Sequence, residues 1–163
     1  MPEDVPIGTQ HLVDELVSAR AALFDALAVV SPESMTTPGL LGEWSGRDLI
    51  AHLGYWSGHA VELIHAVETG RTHEVGAGEP SIDEVNATVA RIARETELAT
   101  VQRREAASFE ALVERLGALD PALLGERLPD GDSLEDGIRE DGAGHYRGHA
   151  EELGRVLREA PRG

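Results

Sequence analysis

An all-α fold, an antiparallel four-helix bundle, is what the sequence predicts, and three observations carry that expectation. Apolar residues recur at three- and four-residue spacing over stretches long enough for several helical turns. No stretch alternates apolar and polar residues in the way a half-buried strand does. The breaks between periodic stretches hold proline, glycine and capping serines, so the connections read as turns between helices.

The first helix reads from Thr9 to Val30, with Leu12, Leu16, Val17, Ala21, Leu23, Phe24 and Leu27 at helical spacing. Ser31-Pro32 stops it, because proline lacks a backbone donor and disfavours helix in the residue before it. After the connector "TTPGLLGEW", Ser45 caps a second helix, and Asp48 stands three residues on in the manner of a capping box. Its stripe is Leu49, Leu53, Trp56, Ala60, Leu63, Ile64 and Val67, and it ends near Gly70. A glycine-rich polar loop, "GRTHEVGAGEP", follows. Ser81 and Glu84 form a second capping box, opening a helix to about Arg94. Thr96 is the expected cap of the next helix, Glu97 to Leu119, which Asp120-Pro121 closes. "DPALLGERLPDGDS" holds at most one short turn, and a last helix runs from near Ser133 to about Glu159, with Pro161 beyond it.

At 163 residues and 41% hydrophobic content, the chain suffices for one domain, residues 1–163, with a sizeable core. Thirty acidic residues against 14 basic ones give a formal net charge of −16, which argues against nucleic acid and anionic membranes as partners. Every basic residue is arginine. With no cysteine, disulfides, thiolate metal sites and cysteine nucleophiles are excluded, so a transition-metal site would need histidine with carboxylate or water. The start, "MPEDVPIGTQ", lacks a basic region followed by an apolar run, and the expectation is a cytoplasmic protein. The acidic stretch "PDGDSLEDGIRED" reads as a solvated loop and a helix start, where carboxylates suit the helix dipole.

His145 and His149, in "DGAGHYRGHAEEL", are four residues apart and rise from one helical face. That spacing alone is equally what two surface histidines would give. The face decides between the readings: His149 aligns with Leu153, Val156 and Leu157, the apolar stripe, and His145 lies one turn earlier on the same edge. An inward imidazole needs hydrogen bonds or a metal to offset its burial. His52 lies between Leu49 and Trp56 at three- and four-residue spacing, again on an apolar stripe. Three neutral imidazoles with an open position suit zinc, nickel or iron; the alternative for His52 is a core histidine bonded to a backbone carbonyl, and the metal reading is preferred. His59 is seven residues past His52, about 10 Å along a helix, and is expected to line the bundle or face solvent rather than share an ion. Asp48 is assigned to the capping box, with a hydrogen bond to an imidazole as its alternative. Glu151 and Glu152 read as a solvated face, and His11, His65 and His73 have no partner spacing.

At these residues the sequence resembles the DinB-like metalloprotein superfamily, which includes the N-terminal domains of mycothiol-dependent maleylpyruvate isomerases. The matching pieces are "GEWSGRDLIAHLGYW" and "GHYRGHAEEL", with "DEVNATVARI" and "SFEALVERLGAL" similar to the middle helices. The resemblance implies a four-helix bundle holding one divalent metal, zinc or nickel, on His52, His145 and His149, the three histidines chosen by helix face. The family's last motif usually has a charged residue where Gly148 stands; glycine weakens the helix but removes no ligand.

For function, the resemblance implies a metal-dependent enzyme using a low-molecular-weight thiol such as mycothiol or bacillithiol, as S-transferase or isomerase. The alternatives are a hydrolase of a reactive metabolite, a non-enzymatic metal-binding stress-response protein, and a helical interaction module without metal. Arg47 and Arg147 are the candidates to grip an anionic end of the thiol, and either is equally suited to a surface salt bridge. A homodimer is implied by the resemblance and by the exposed faces long helices tend to leave.

Overall fold

The computed structural model describes residues 8–160. Most of the N-terminal stretch read above as lacking a leader, and Pro161, lie outside the described residues. Among the described residues seven α-helices are formed: α1 (Gln10–Leu27), α2 (Pro32–Thr36), α3 (Gly46–Glu68), α4 (Ile82–Arg94), α5 (Leu98–Ala118), α6 (Leu134–Asp141) and α7 (Ala143–Glu159). Short 3-10 turns occupy Thr72–Glu74 and Pro121–Gly125, and among the described residues there is no β-strand. The fold is the expected helical bundle. No described helix is long and apolar enough to cross a membrane.

The bundle pairs α3 with α5 and α1 with α7; α1 also meets α5, α6 packs on α3, and α4 lies along α3. Four helices turn apolar residues inward: Leu12, Leu16, Leu23 and Leu27 of α1, Leu49, Leu53 and Ile64 of α3, Leu112 and Leu116 of α5, and Leu153 of α7. The capping box at Ser45 is complete, with Ser45 Oγ accepting from Asp48 N at 3.2 Å and Asp48 Oδ2 accepting from Ser45 N at 3.0 Å. At Ser81 only the serine half of a box forms, Ser81 Oγ accepting from Glu84 N.

Three boundaries differ from the sequence reading. The α1 helix ends at Leu27, and Ser31-Pro32 opens α2 rather than only closing a helix. Ser31 Oγ caps Ser34 N, and proline at the first helical position sacrifices no hydrogen bond, because that N–H would be unpaired anyway. Thr96 does not cap α5: its hydroxyl donates backwards to the Ile92 carbonyl at 2.7 Å, and Glu97 takes the cap position without a side-chain bond. The last helix is broken at Gly142, whose φ of −106° and ψ of −105° lie outside the helical region. A Cβ there would meet the Ile138 carbonyl oxygen at 2.9 Å, so only glycine fits so tight a transition from α6 to α7.

One polar network runs through the core. Glu105 of α5, 1% exposed, accepts two hydrogen bonds from the Arg20 guanidinium of α1, at 2.7 and 2.8 Å. It also accepts from the Tyr146 hydroxyl of α7 at 2.6 Å, and Ser57 Oγ of α3 donates to that hydroxyl at 3.3 Å. Three helices thus meet at one carboxylate, and α3 joins through the Tyr146 hydroxyl. Gly54 makes this possible, since a Cβ there would stand 3.0 Å from Glu105 Cα. Arg20 in turn lies over the rings of Phe24 and Phe109, at 4.5 and 4.4 Å.

Candidate metal centre

The α3 and α7 helices bring His52, His145 and His149 together, with one nitrogen of each within 4.8 Å of the others. His52 Nε2 and His145 Nε2 approach to 2.6 Å. His145 and His149 stack with ring centroids 5.0 Å apart, one helical turn separating them, and His52 stands edge-on to both. The Leu41–Trp44 turn ahead of α3 lays the Trp44 ring 4.6 Å from that of His52. Trp56, one turn beyond His52, closes the other side and is held by its indole N–H donating to Asn86 Oδ1 at 3.0 Å.

Burial keeps two of these imidazoles uncharged. His52 is 5% exposed, and desolvation, then the neighbouring histidines, lower its pKa to about 3. Desolvation and His149 lower His145 to about 4. Neutral imidazole is the form that ligates a metal. His52 Nδ1 is buried without a hydrogen-bond partner among the described residues. Two facing Nε2 atoms either share one proton or, with both rings protonated on Nδ1, turn two lone pairs toward one point where a cation would satisfy them. Zinc–imidazole bonds of about 2.1 Å set ligand nitrogens about 3.4 Å apart in a tetrahedron, between the 2.6 Å of the His52–His145 pair and the 4.8 Å that bounds the cluster. The three histidines fit a divalent ion.

The cluster opens on a cavity of about 420 Å³, lined also by Trp44, Trp56, Ile82, Asn86, Glu140 and Asp141. Neither arginine candidate lines it. Arg47 donates to the Thr96 carbonyl at 3.2 Å and to the Thr36 carbonyl at 3.4 Å, tying the start of α3 to the α4–α5 turn and α2. Arg147 is exposed, two residues from either histidine on α7, and its charge acts on Glu15 of α1. Asp48 is engaged in the capping box and lies 3.7 Å from Arg94.

Two partners differ from the sequence reading. Glu152, read as solvated face, reaches His149 Nδ1 at 3.1 Å, which leaves Nε2 free to ligate. His59 neither stands alone nor faces solvent: its Nδ1 is 2.6 Å from Asp141 Oδ2. That hydrogen bond raises His59 above the ordinary histidine range, outweighing desolvation. Desolvation raises Asp141 despite the opposing pull of His59. Glutamate three residues after a histidine was a usable signal for the first pair; Asp141 lies 82 positions from His59, and nothing local announces it.

These shifts set an acid limit on the metal-free protein. Because His52 and His145 bind protons less readily folded than unfolded, stability rises with pH across the window between their folded values and the unfolded value near 6.5. His59 works in the other direction, its contribution present below about 6.5 and lost as pH rises through its raised folded value. Thermal unfolding in chelator should show a loss on the order of 2 kcal/mol between pH 7 and pH 5. A double replacement of His52 and His145 by asparagine should flatten that slope; an unchanged slope would contradict the assignment.

No relative among curated proteins matches the sequence. Among solved structures, the chain is similar to the colibactin self-resistance protein ClbS in complex with a dsDNA. That match has a TM-score of 0.74 and 18% identity, and covers 96% of this chain and 99% of that one. It is similar as well to an uncharacterised protein from Escherichia coli UTI89, with a TM-score of 0.74, 16% identity, and coverage of 94% and 95%. The first overturns the exclusion of nucleic acid drawn from net charge, because this same fold is found on DNA. A charge summed over the whole chain says little about any one face, and Arg91, Arg94, Arg103 and Arg104 are exposed on α4 and α5. The family model for the mycothiol maleylpyruvate isomerase N-terminal domain matches residues 16–140, which include His52 and stop just short of His145 and His149. With most of its length so matched, the chain belongs to the mycothiol maleylpyruvate isomerase N-terminal domain family.

Proposed function

We propose that the chain is a metal-dependent enzyme in which His52, His145 and His149 hold one divalent ion, zinc or nickel. A low-molecular-weight thiol of the mycothiol type serves as its nucleophile in S-transfer or isomerisation. The observation that carries this reading is the convergence of the three imidazoles on a cavity of about 420 Å³, large enough for a small substrate. Such an ion, when bound, supplies a Lewis acid and favours the deprotonated form of a thiol or water reaching its open side.

The protein's own residues do the rest. Trp44 and Trp56 wall the cluster and limit water around it. Glu152 fixes the ring of His149 through Nδ1. Asn86 holds Trp56 in place. Membership of a family whose name includes mycothiol supports the thiol. The cavity wall favours a second reading. Among the described residues no arginine lines it, while Glu140 and Asp141 do, so the grip suits a neutral sugar thiol better than an anionic one. A hydrolase, with water in place of the thiol, fits the same wall.

The test is consumption of monochlorobimane, a fluorogenic electrophile, by metal-loaded and chelator-stripped protein, with and without mycothiol. Turnover is expected only with both metal and thiol. Metal-dependent consumption without thiol selects the hydrolase, and equal rates with and without metal overturn both readings.

A further inference from the structure

His59 and Asp141 form a polar pair outside the three-histidine cluster. Asp141, the last residue of α6, is 9% exposed, and its Oδ2 lies 2.6 Å from Nδ1 of the half-buried His59 on α3. A carboxylate accepts, so Nδ1 carries the proton, and the ring is held with Nε2 turned away. Nε2 makes no hydrogen bond among the described residues; the Glu79 carboxylate stands 3.9 Å off. Both residues line a cavity of about 410 Å³ whose apolar wall includes Leu63, Val75 and Leu128. This cavity shares Trp56, Ile82, Glu140 and Asp141 with the one in front of the histidine cluster. The two are adjoining compartments with a common wall.

We propose that His59, held by Asp141, is the proton-donating residue of the reaction at the histidine cluster, and that the second compartment receives the electron-accepting end of the substrate. This rests on the enzymatic reading above. His59 is two turns from His52, about 10 Å along α3, too far to share an ion. That separation suits an electrophile whose electron-accepting atom lies several bonds from the carbon attacked, as in a conjugated carbonyl compound. At the cluster end the sulfur–carbon bond forms after the thiol proton has left to solvent. The displaced π pair moves to the carbonyl oxygen, which takes the proton from His59 Nε2. His59 is left neutral with its proton on Nδ1, hydrogen-bonded to Asp141, and regains the other from water. No oxidant or reductant is needed.

The surroundings favour the protonated, donating form. Asp141 faces His59 from α6, Glu79 from the loop before α4 and Glu62 from α3 itself, while Glu140 and Asp130 line the same cavity. Among the described residues no arginine lines it. The Asp141 hydrogen bond, followed by these charges, holds His59 above the ordinary histidine range.

Two measurements on the metal-loaded full chain decide the matter. Nitrogen-15 NMR above the titration of His59 should show the Nδ1–H tautomer; the Nε2–H tautomer overturns the proposal whatever the activity. His59→Gln should keep its metal content while kcat for a conjugated enone with mycothiol falls about 100-fold and KM changes little. In the wild type kcat should decline as pH rises through the His59 titration, and in His59→Gln that decline should vanish. Asp141→Asn, which keeps the shape, should lose kcat by about tenfold and lose the tautomer preference. A role confined to tying α3 to α6 would leave the pH profile unmoved. An active wild type with kcat unchanged in His59→Gln overturns this proposal alone; a wild type without thiol-dependent turnover overturns the enzymatic reading and this proposal with it.

Discussion

Glu105→Ala is expected to lower the unfolding free energy by about 3–5 kcal/mol, a large part of the roughly 5–15 kcal/mol that stabilises a domain. The substitution removes the acceptor of two Arg20 hydrogen bonds and of the Tyr146 hydroxyl. Arg20 is then left with its guanidinium against Phe24 and Phe109 and no counter-charge. Burial, the largest influence on the Tyr146 phenol, remains in the variant and still opposes its ionisation. Glu105→Gln keeps an acceptor oxygen and should cost less than half as much. Urea unfolding with an unchanged slope provides the measurement. A loss below about 1 kcal/mol for Glu105→Ala would mean that water or a neighbour satisfies the orphaned groups.

Much of the fold was legible because helix formation is largely local. The leucine stripes of α1, α3 and α5 and the complete capping box at Ser45 follow from spacing and side-chain chemistry within a few residues. The errors arose where one local signal has two meanings. Ser31-Pro32 both stops a helix and opens one, and only the course of the chain on either side decides which. Gly142 falls inside the single last helix read from near Ser133 to about Glu159, yet contact with the Ile138 carbonyl makes it the break between α6 and α7. Thr96 has a cap's chemistry, but its hydroxyl found the Ile92 carbonyl first.

The candidate site divides along the same line. His52, His145 and His149 could be selected because each lies on an apolar stripe, and a stripe fixes which way a side chain points. Contacts between distant elements carried no such mark. Neither the partnership of His59 with Asp141 nor the seat of Arg47 on two backbone carbonyls can be read from neighbouring residues. Net charge failed as a guide to partners for a related reason, being a sum that ignores placement.

His149→Ala should reduce metal affinity by more than the roughly 10–100-fold that loss of an outer hydrogen-bond partner costs, because it removes one of three direct ligands. Among the described residues no other histidine or carboxylate joins the cluster to replace it. The fold should survive, since the half-buried His149 leaves the Leu153 side of α7 intact. The direct measurement is metal content by mass spectrometry, on protein purified without a histidine tag, stripped with chelator, reloaded with zinc and freed of excess. The wild type should retain one ion per chain, and His149→Ala should retain little. Full occupancy in His149→Ala, or none in the wild type, would contradict a metal centre at these three histidines.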